Sequence, residues 1–244
     1  MEQFYLFLPL IFIVAFLYSS VGHGGASGYI ALMTIFNFAP DEIKKIALIL
    51  NIIVSAISFF QYYKAGFFKI KLFIPLACAS IPFAFLGGKL NLPHHYYYFL
   101  LGIFLVFSIY KLLFPGKKVI ENKNPSSIYL LLILGAAIGF LSGLLGIGGG
   151  ILLTPILLFF GWSSIKESAA ISAAFIFVNS LSGILAQNFS EIKSAYLFIL
   201  LYVVVVFIAA IIGSYLGAKK WNVVLVKQIL ATVLSIALIK LILT

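Results

Sequence analysis

The chain has 244 residues, of which 64% are hydrophobic and 9% are charged, and its mean hydropathy is +1.20. A soluble domain carries about 25% charged residues, so this composition excludes a water-soluble globule and predicts an all-α polytopic protein of the cell membrane. The formal net charge of +10 comes from lysines, without any arginine. These lysines fall between apolar segments, which indicates orientation and contact with anionic lipid headgroups and argues against a nucleic-acid partner.

Apolar segments follow one another in two groups that are separated by one polar stretch. The first group covers about 4–20, 26–38, 43–63, 70–90 and 94–114. The second group covers about 128–144, 151–160, 167–187, 194–217 and 222–243. A spanning helix needs about 20 apolar residues, so each group predicts two pieces around a glycine cluster and then three ordinary spans. The predicted domains are a first transmembrane repeat over 1–114, a cytoplasmic linker over 115–127 and a second transmembrane repeat over 128–244.

The two groups also resemble each other residue by residue. The stretch "VGHGGASGYIAL" from Val21 aligns with "LGIGGGILLTPI" from Leu145, and "ILNIIVSAIS" aligns with "FVNSLSGILA". The matched pairs are Gly22 with Gly146, Gly24 with Gly148, Gly25 with Gly149, and Asn51 with Asn179. Apolar sequence always resembles itself to some degree, but glycine and asparagine at matched places favour an internal duplication.

The orientation of the halves depends on whether each glycine-containing pair enters and returns or crosses once. Lysine-rich short loops stay cytoplasmic, and both the loop 64–71 and the linker are rich in lysine. If each pair enters and returns, the halves are inverted, which the lysine distribution favours only slightly over parallel halves. Aromatic rings at predicted span ends, namely Trp162, Trp221 and the run 96–98, are expected to anchor at the headgroups.

The glycine clusters predict helix breaks inside the membrane. Lipid cannot satisfy the free backbone groups of a break, so a break survives only where it lines a cavity or is packed in protein. Glycine allows a positive φ and the close approach of a ligand. Helices that restart near Ala26 and Ile151 would direct free N–H groups and positive dipole ends into the breaks, which predicts an anion site. The alternative is close helix packing by small residues, which suits isolated glycines such as Gly135 and Gly139.

These motifs, with "LGGK" and "LGAK" further along, resemble the TauE/SafE sulfite exporter family over nearly the whole chain. The resemblance implies a small integral membrane protein with two homologous halves. It also implies transport, usually proposed as export, of sulfite, thiosulfate or organosulfonates. The first motif departs from the family's G-x-G-G-G-like pattern, because this chain has His23 at the variable position and Ala26. The substrate within that class is therefore left open.

Ionisable groups are scarce at the predicted membrane depth. The acidic residues all lie at or near predicted span ends, and they are Glu2, Asp41, Glu42, Glu121, Glu167 and Glu191. This placement argues against a carboxylate proton relay. His23 is the one ionisable side chain predicted inside a break, whereas His94 and His95 follow Pro93 in a loop. His23 is either a proton-coupling group or a neutral residue that hydrogen-bonds to a neighbouring helix.

Polar side chains near the breaks complete the candidate site. Asn51 and Asn179 either hold the broken backbone together or donate to substrate oxygens, and hydroxyls such as Ser27 and Thr154 either face the substrate or bond to their own helix. The candidate substrate-binding residues are Gly22, His23, Gly24, Gly25, Ser27, Asn51, Gly146, Gly148, Gly149, Gly150, Thr154 and Asn179. Cys78, the single cysteine, is expected to be a small packing residue.

The sequence thus favours a secondary transporter of a small sulfur-containing oxyanion, with membrane lipid as its surroundings. No nucleotide motif, metal-ligand spacing or enzyme signature is present, so we expect no cofactor, no metal and no enzymatic activity. An anion channel would also use broken helices, and an intramembrane assembly protein or enzyme could use the same fold. A homo-oligomer is left open.

Overall fold

The computed structural model of the protein describes residues 2–38, 40–90, 127–187 and 196–222, together with single positions within 93–110 and 224–239. In those four ranges the chain forms eight helices and no strand. In chain order the helices are α1 (Glu2–Ser20), α2 (Ala26–Ile35), α3 (Pro40–Lys64), α4 (Ile70–Lys89), α5 (Ile128–Leu145), α6 (Gly150–Phe159), α7 (Ile165–Leu185) and α8 (Tyr196–Lys219).

Five of the described helical stretches are long and apolar enough to cross a membrane, which confirms the prediction of an all-α polytopic membrane protein. They are Glu42–Lys64, Ile70–Lys89, Ile128–Leu145, Ile165–Leu185 and Ile199–Lys219. Outside the described residues lie the linker 115–126, His94, His95, and most of the predicted segments 94–114 and 222–243. The predictions made for those parts stay predictions.

A capping motif in the sequence marks the start of α7. The stretch "SSIKES" places Ser164 before α7 and Glu167 three residues later. The Ser164 hydroxyl accepts the Glu167 N–H, and the Glu167 carboxylate accepts the Ser164 N–H at 2.7 Å. This capping box satisfies two free donors at the start of α7. The same carboxylate pairs with the Lys69 ammonium at 2.8 Å, so it ties α7 to the loop that precedes α4.

The helices of the two halves pack against each other in a pattern that repeats when the halves are exchanged. α4 packs along α5, and α8, its counterpart in the second half, packs along α1. α3 packs against α7, the helix that matches it in sequence, at the centre of the molecule. Each half therefore buries much of its apolar surface against the other half.

Contacts at the two ends of the central pair show that α3 and α7 run antiparallel. At one end, Lys69 follows α3 and pairs with Glu167 in the first turn of α7. At the other end, Lys44 in the first turns of α3 and Gln187 after α7 both donate to the Gly88 carbonyl, at 3.4 and 2.7 Å. The start of one helix therefore lies beside the end of the other.

Small residues allow the close approach of the peripheral pairs. In α5, Gly135 and Gly139 lie directly against the carbonyls of Leu76 and Ser80 in α4. In α8, Gly213 and Gly217 lie in the same way against α1. The absence of a side chain permits backbones to touch, as in other membrane helix pairs. Gly135 and Gly139 are therefore helix-packing residues, as the sequence indicated for isolated glycines.

Two of the sequence expectations about side-chain surroundings are wrong. Trp162 is only 5% exposed, because the chain turns back at Gly161 (φ 67°) and the indole stacks on Phe160 at 4.5 Å between ring centroids. It is a core residue rather than a headgroup anchor. Cys78 lies on the exposed face of α4 and does not fill a gap between helices. Trp221 packs edge-on against Phe16.

Candidate functional site

The first glycine segment separates α1 from α2. α1 ends at Ser20, and α2 begins at Ala26 with Gly25 as its N-cap at φ 95°. Between them Gly22 has φ 73°, and the N–H groups of Val21 and His23 both donate to the Tyr18 carbonyl. The turn thereby satisfies a carbonyl at the end of α1 that the helix itself leaves free.

The second segment separates α5 from α6 by the same means. Gly146, Gly148 and Gly149 have φ values of 71°, 73° and 80°, and Gly149 is the N-cap of α6. The Gly146 N–H donates to the Ser142 carbonyl at 2.8 Å, which ends α5. A residue with a Cβ is strained at such φ values. Both helices that follow the breaks are 10 residues long, or about 15 Å, which is half the thickness of a bilayer's hydrocarbon core.

The side chain of Asn51 lies between the two segments. A Cβ placed on Gly148 would be 2.7 Å from Asn51 Nδ2, and a Cβ on Gly24 would overlap Asn51 Oδ1. The same two positions would also meet Cγ2 of Ile176 on α7, at 2.9 Å from Gly24 and 2.7 Å from Gly148. The two glycine segments therefore approach each other where α3 and α7 pack together.

Asn51 holds the first break together. Its Oδ1 accepts the N–H of Ala26, the first residue of α2, at 3.0 Å, and its Nδ2 donates to the Ser180 hydroxyl at 3.3 Å on α7. The amide is fully buried. Asn51 thus caps a helix of its own half and links it to the other half. Of the two roles that the sequence left open, holding the backbone together or donating to substrate, these bonds match the first.

Asn179 does not repeat this arrangement. Its Nδ2 donates to the Phe175 carbonyl on its own helix at 2.9 Å, and its buried Oδ1 has no hydrogen-bond partner among the described residues. Asn179 therefore does not cap α6 as Asn51 caps α2. The two breaks are therefore matched in backbone conformation but differ in how their helix termini are satisfied.

His23 connects the first break to the second half of the chain. The ring is 2% exposed, its Nδ1 donates to the Val21 carbonyl at 3.0 Å, and it also contacts the Gly150 backbone. Because Nδ1 carries the proton in that bond, Nε2 of the neutral ring accepts the Thr154 hydroxyl at 3.4 Å. Thr154 in turn lies 2.7 Å from the Ser172 hydroxyl on α7. These three residues form a continuous polar chain across the break.

The other predicted hydroxyl is already paired within the protein. The Ser27 hydroxyl lies 2.8 Å from the Tyr18 hydroxyl, and both side chains are buried. The sequence analysis missed Tyr29 and Ser142, two of the three buried hydroxyls that have no hydrogen-bond partner among the described residues. A sequence signal for Tyr29 existed, because it follows the N-cap Gly25 by four residues and so lies on the same face of α2.

A lysine side chain lies beside the second break. The Lys44 side chain lies over Gly146, where a Cβ would be 2.7 Å from Lys44 Cγ. Its ammonium donates to the Gly88 carbonyl at 3.4 Å, and Lys166 donates to the carbonyl of Ala218, the matched residue, at 2.9 Å. Among the described residues, no group of three or more His, Cys, Asp or Glu could hold a metal ion.

Comparison with known proteins gives one family and two relatives. The family model described as "Sulfite exporter TauE/SafE" matches residues 7–241. The chain is 34% identical over 236 residues to a "Probable membrane transporter protein" of Sinorhizobium fredii, which covers 94% of each chain. It is 30% identical over 199 residues to a "Probable membrane transporter protein" of Methanocaldococcus jannaschii, covering 75% of this chain and 73% of the relative. No solved structure gives a significant match.

Proposed function

The chain belongs to the TauE/SafE family of membrane transporters, and from that premise we propose that it is a secondary transporter that exports a small sulfur-containing oxyanion across the cell membrane. Sulfite, thiosulfate and sulfonates form the substrate class. The observation that carries the proposal is the meeting of the two glycine segments around Asn51, each followed by a helix that starts at a left-handed glycine.

Helix N-termini attract anions for two reasons. Their first N–H groups have no partner within the helix, and the aligned peptide dipoles place a partial positive charge at that end. The N-caps of α2 and α6 are glycines, which bring no side-chain acceptor of their own, and neither segment contains a carboxylate. The Lys44 ammonium adds positive charge near Gly146. A tetrahedral or pyramidal oxyanion with several acceptor oxygens suits such a set of donors.

The proposed site comprises the glycines of both segments with His23, Ser27, Asn51, Thr154 and Asn179. Within it we assign Asn51 and Ser27 to shaping the break, because both side chains are bonded to the protein. We assign backbone donors at Gly25 and Gly148–Gly150 to the substrate. His23 of the first segment and Thr154 of α6 contact each other at 3.4 Å, so they link the two segments and would sense the occupant.

We further propose that the halves are inverted in the membrane, with the glycine segments at mid-membrane. Two observations support this arrangement. α3 and α7 run antiparallel, and α2 and α6 are too short to cross a bilayer. Each glycine-containing pair would then enter the membrane and return, and the two breaks would meet from opposite sides.

Two other functions use the same architecture. An anion channel would also place helix termini along a conducting path, and an assembly protein or intramembrane enzyme would need no flux at all. The family and the relatives' names favour transport.

The test is uptake of radiolabelled sulfite, thiosulfate and methanesulfonate into proteoliposomes that contain the purified protein. We expect saturable uptake of at least one of them, inhibited by the other two and not by equal concentrations of chloride. Protein-free liposomes and liposomes with an unrelated membrane protein are the controls. Absence of uptake of all three, by protein that is correctly folded, would contradict the proposed function.

A further inference from the structure

The hydroxyl of Tyr29 is a buried polar group with no hydrogen-bond partner in the described part of the chain. The side chain is 0% exposed, and its OH is one of four such buried atoms. Buried hydroxyls are normally hydrogen-bonded, because a lost interaction with water is costly when nothing replaces it. An unpaired buried hydroxyl in a native protein therefore needs an explanation, and a bound ligand is one that this position allows.

The hydroxyls of two other buried tyrosines do have hydrogen-bond partners. The Tyr18 hydroxyl pairs with Ser27 at 2.8 Å, and the Tyr62 hydroxyl donates to the Ser20 carbonyl at 2.6 Å, next to the first break. The surroundings of Tyr29 are therefore not generally poor in hydrogen-bonding groups. What distinguishes Tyr29 is the place at which its hydroxyl ends.

That place is the N-terminus of α2. A Cβ placed on Gly25, the N-cap, would lie 2.8 Å from the Tyr29 hydroxyl oxygen. The first backbone bond of α2 joins the Tyr29 N–H to the Gly25 carbonyl, and Asn51 accepts only the Ala26 N–H. An orphaned O–H donor and the free end of a helix dipole are thus beside each other, which is the combination that an oxyanion satisfies.

The second break shows a related arrangement with a different residue. Ser142 is 1% exposed, its hydroxyl has no partner in the part of the chain that the structure describes, and a Cβ placed on Gly149, the N-cap of α6, would lie 3.2 Å from the Ser142 Cβ. Both N-cap glycines therefore have an unpartnered buried hydroxyl residue beside them.

We propose that the Tyr29 hydroxyl donates a hydrogen bond to the transported oxyanion at the start of α2, so that Tyr29 is a substrate ligand and sets the affinity for oxyanions. This inference rests on the proposed function. Ser142, in the last turn of α5, lies beside Gly149, the N-cap of α6. Neither hydroxyl holds the helices together, because neither bonds to a described residue, whereas the Tyr29 ring packs in the core.

The decisive variant is Tyr29→Phe, which keeps the ring against Gly25 and removes only the hydroxyl. Uptake of labelled thiosulfate and sulfite into proteoliposomes is measured as a function of concentration, and thermal unfolding is measured in detergent without either anion. We expect the KM of the transported anion to rise about ten- to a hundredfold, the effect of losing one donor to a charged acceptor. The unfolding temperature should stay the same or rise, because an unsatisfied polar atom has been removed.

Tyr62→Phe is the matched control. It removes a hydroxyl that is bonded to Ser20 next to the same break, so it should lower the unfolding temperature and leave KM unchanged. Wild-type KM in Tyr29→Phe would overturn the inference while leaving the proposed function intact. A Tyr29→Phe protein that no longer folds would also overturn it, since the hydroxyl would then have a structural partner. A wild-type protein that carries neither anion would contradict the proposed function, and this inference with it.

Discussion

At the scale of single residues, the breaks depend on glycines whose backbone a larger residue cannot adopt. Gly148 combines φ 73° with a position where a Cβ would be 2.7 Å from both Asn51 Nδ2 and Ile176 Cγ2. Both the positive φ and the lack of space for a Cβ therefore require glycine at position 148. The consequence is that the approach of the two segments, and with it the donor set, tolerates no side chain at this point.

Gly148→Ala is expected to reduce transport at least tenfold in protein that still inserts, because the methyl group displaces Asn51 or the segment itself. Gly66→Ala is the control, since Gly66 has φ 81° with nothing near a Cβ. Both variants carry the strain of a left-handed alanine, about 1–2 kcal/mol, but only Gly148 lies in the site. Initial uptake per folded protein would be compared, and equal uptake by the two variants would contradict the assignment.

His23 gives the second prediction at this scale. Histidine is the side chain that changes charge between pH 5 and 8, and a bound anion favours its protonated form. Glutamine can donate to the Val21 carbonyl and accept from Thr154 as the neutral ring does, but it cannot titrate. His23→Gln is therefore expected to keep substrate binding and to flatten the dependence of flux on pH.

The measurement is initial flux between about pH 5.5 and 8 for both proteins. In the wild type, we expect flux to rise as the pH falls through the range in which the imidazole gains its proton. Profiles of the same shape in both proteins would show that His23 only hydrogen-bonds, and the coupling idea would fail.

At the scale of elements, the positions of the helices were predictable and their faces were not. The predicted segments 128–144 and 151–160 correspond to α5 (Ile128–Leu145) and α6 (Gly150–Phe159), because apolar length and glycine clusters mark helix ends. A helix in lipid is apolar all round, so periodicity does not reveal which face is buried. That is why the sequence misplaced the surroundings of Trp162 and Cys78.

The asymmetry of Asn51 and Asn179 belongs to this scale too. Matched sequence positions predict matched roles, but a helix cap depends on a side chain reaching an N–H on another element, which no local pattern encodes. Asn51 reaches Ala26, whereas Asn179 bonds back to Phe175 on its own helix. The spacing of four residues places Tyr29 beside Gly25, but whether its hydroxyl finds a partner depends on other elements in the same way.

These two asparagines predict unequal costs on truncation. Asn51→Ala removes the cap of α2 and the bond to Ser180, so it should lower the free energy of unfolding by about 2 kcal/mol. Asn179→Ala removes one bond within a helix together with an unsatisfied oxygen, and it should cost less than about 1 kcal/mol. Unfolding in detergent with increasing denaturant would measure both, and equal losses would contradict the capping role of Asn51.

At the scale of the whole molecule, the helix contacts repeat when the two halves are exchanged, which supports a two-fold relation between the halves. α4 packs on α5 and α8 packs on α1, while α3 and α7 meet at the centre. The internal sequence repeat predicted the two halves, but the lysine distribution separated inverted from parallel halves only slightly. The directions of α3 and α7 come from long-range pairing at their ends, which sequence does not give.

Inverted halves predict that the loop after α3 and the end of α7 lie on opposite sides of the membrane. In a Cys78→Ser background, Gly66→Cys and Gln187→Cys would be labelled with a membrane-impermeant maleimide from one side of sealed vesicles and then after permeabilisation. We expect one of the two cysteines to react before permeabilisation and the other only afterwards. Labelling of both from the same side would show parallel halves.

We infer that the N-termini of α2 and α6 form one binding site that carries an oxyanion across the membrane. The measurement that tests it most directly is counterflow in proteoliposomes loaded with unlabelled thiosulfate or sulfite and diluted into the labelled anion, with Gly148→Ala beside the wild type. We expect transient, saturable accumulation of label by the wild type and its loss in Gly148→Ala. Accumulation at wild-type rates in a folded Gly148→Ala protein, or flux without any counterflow, would contradict it.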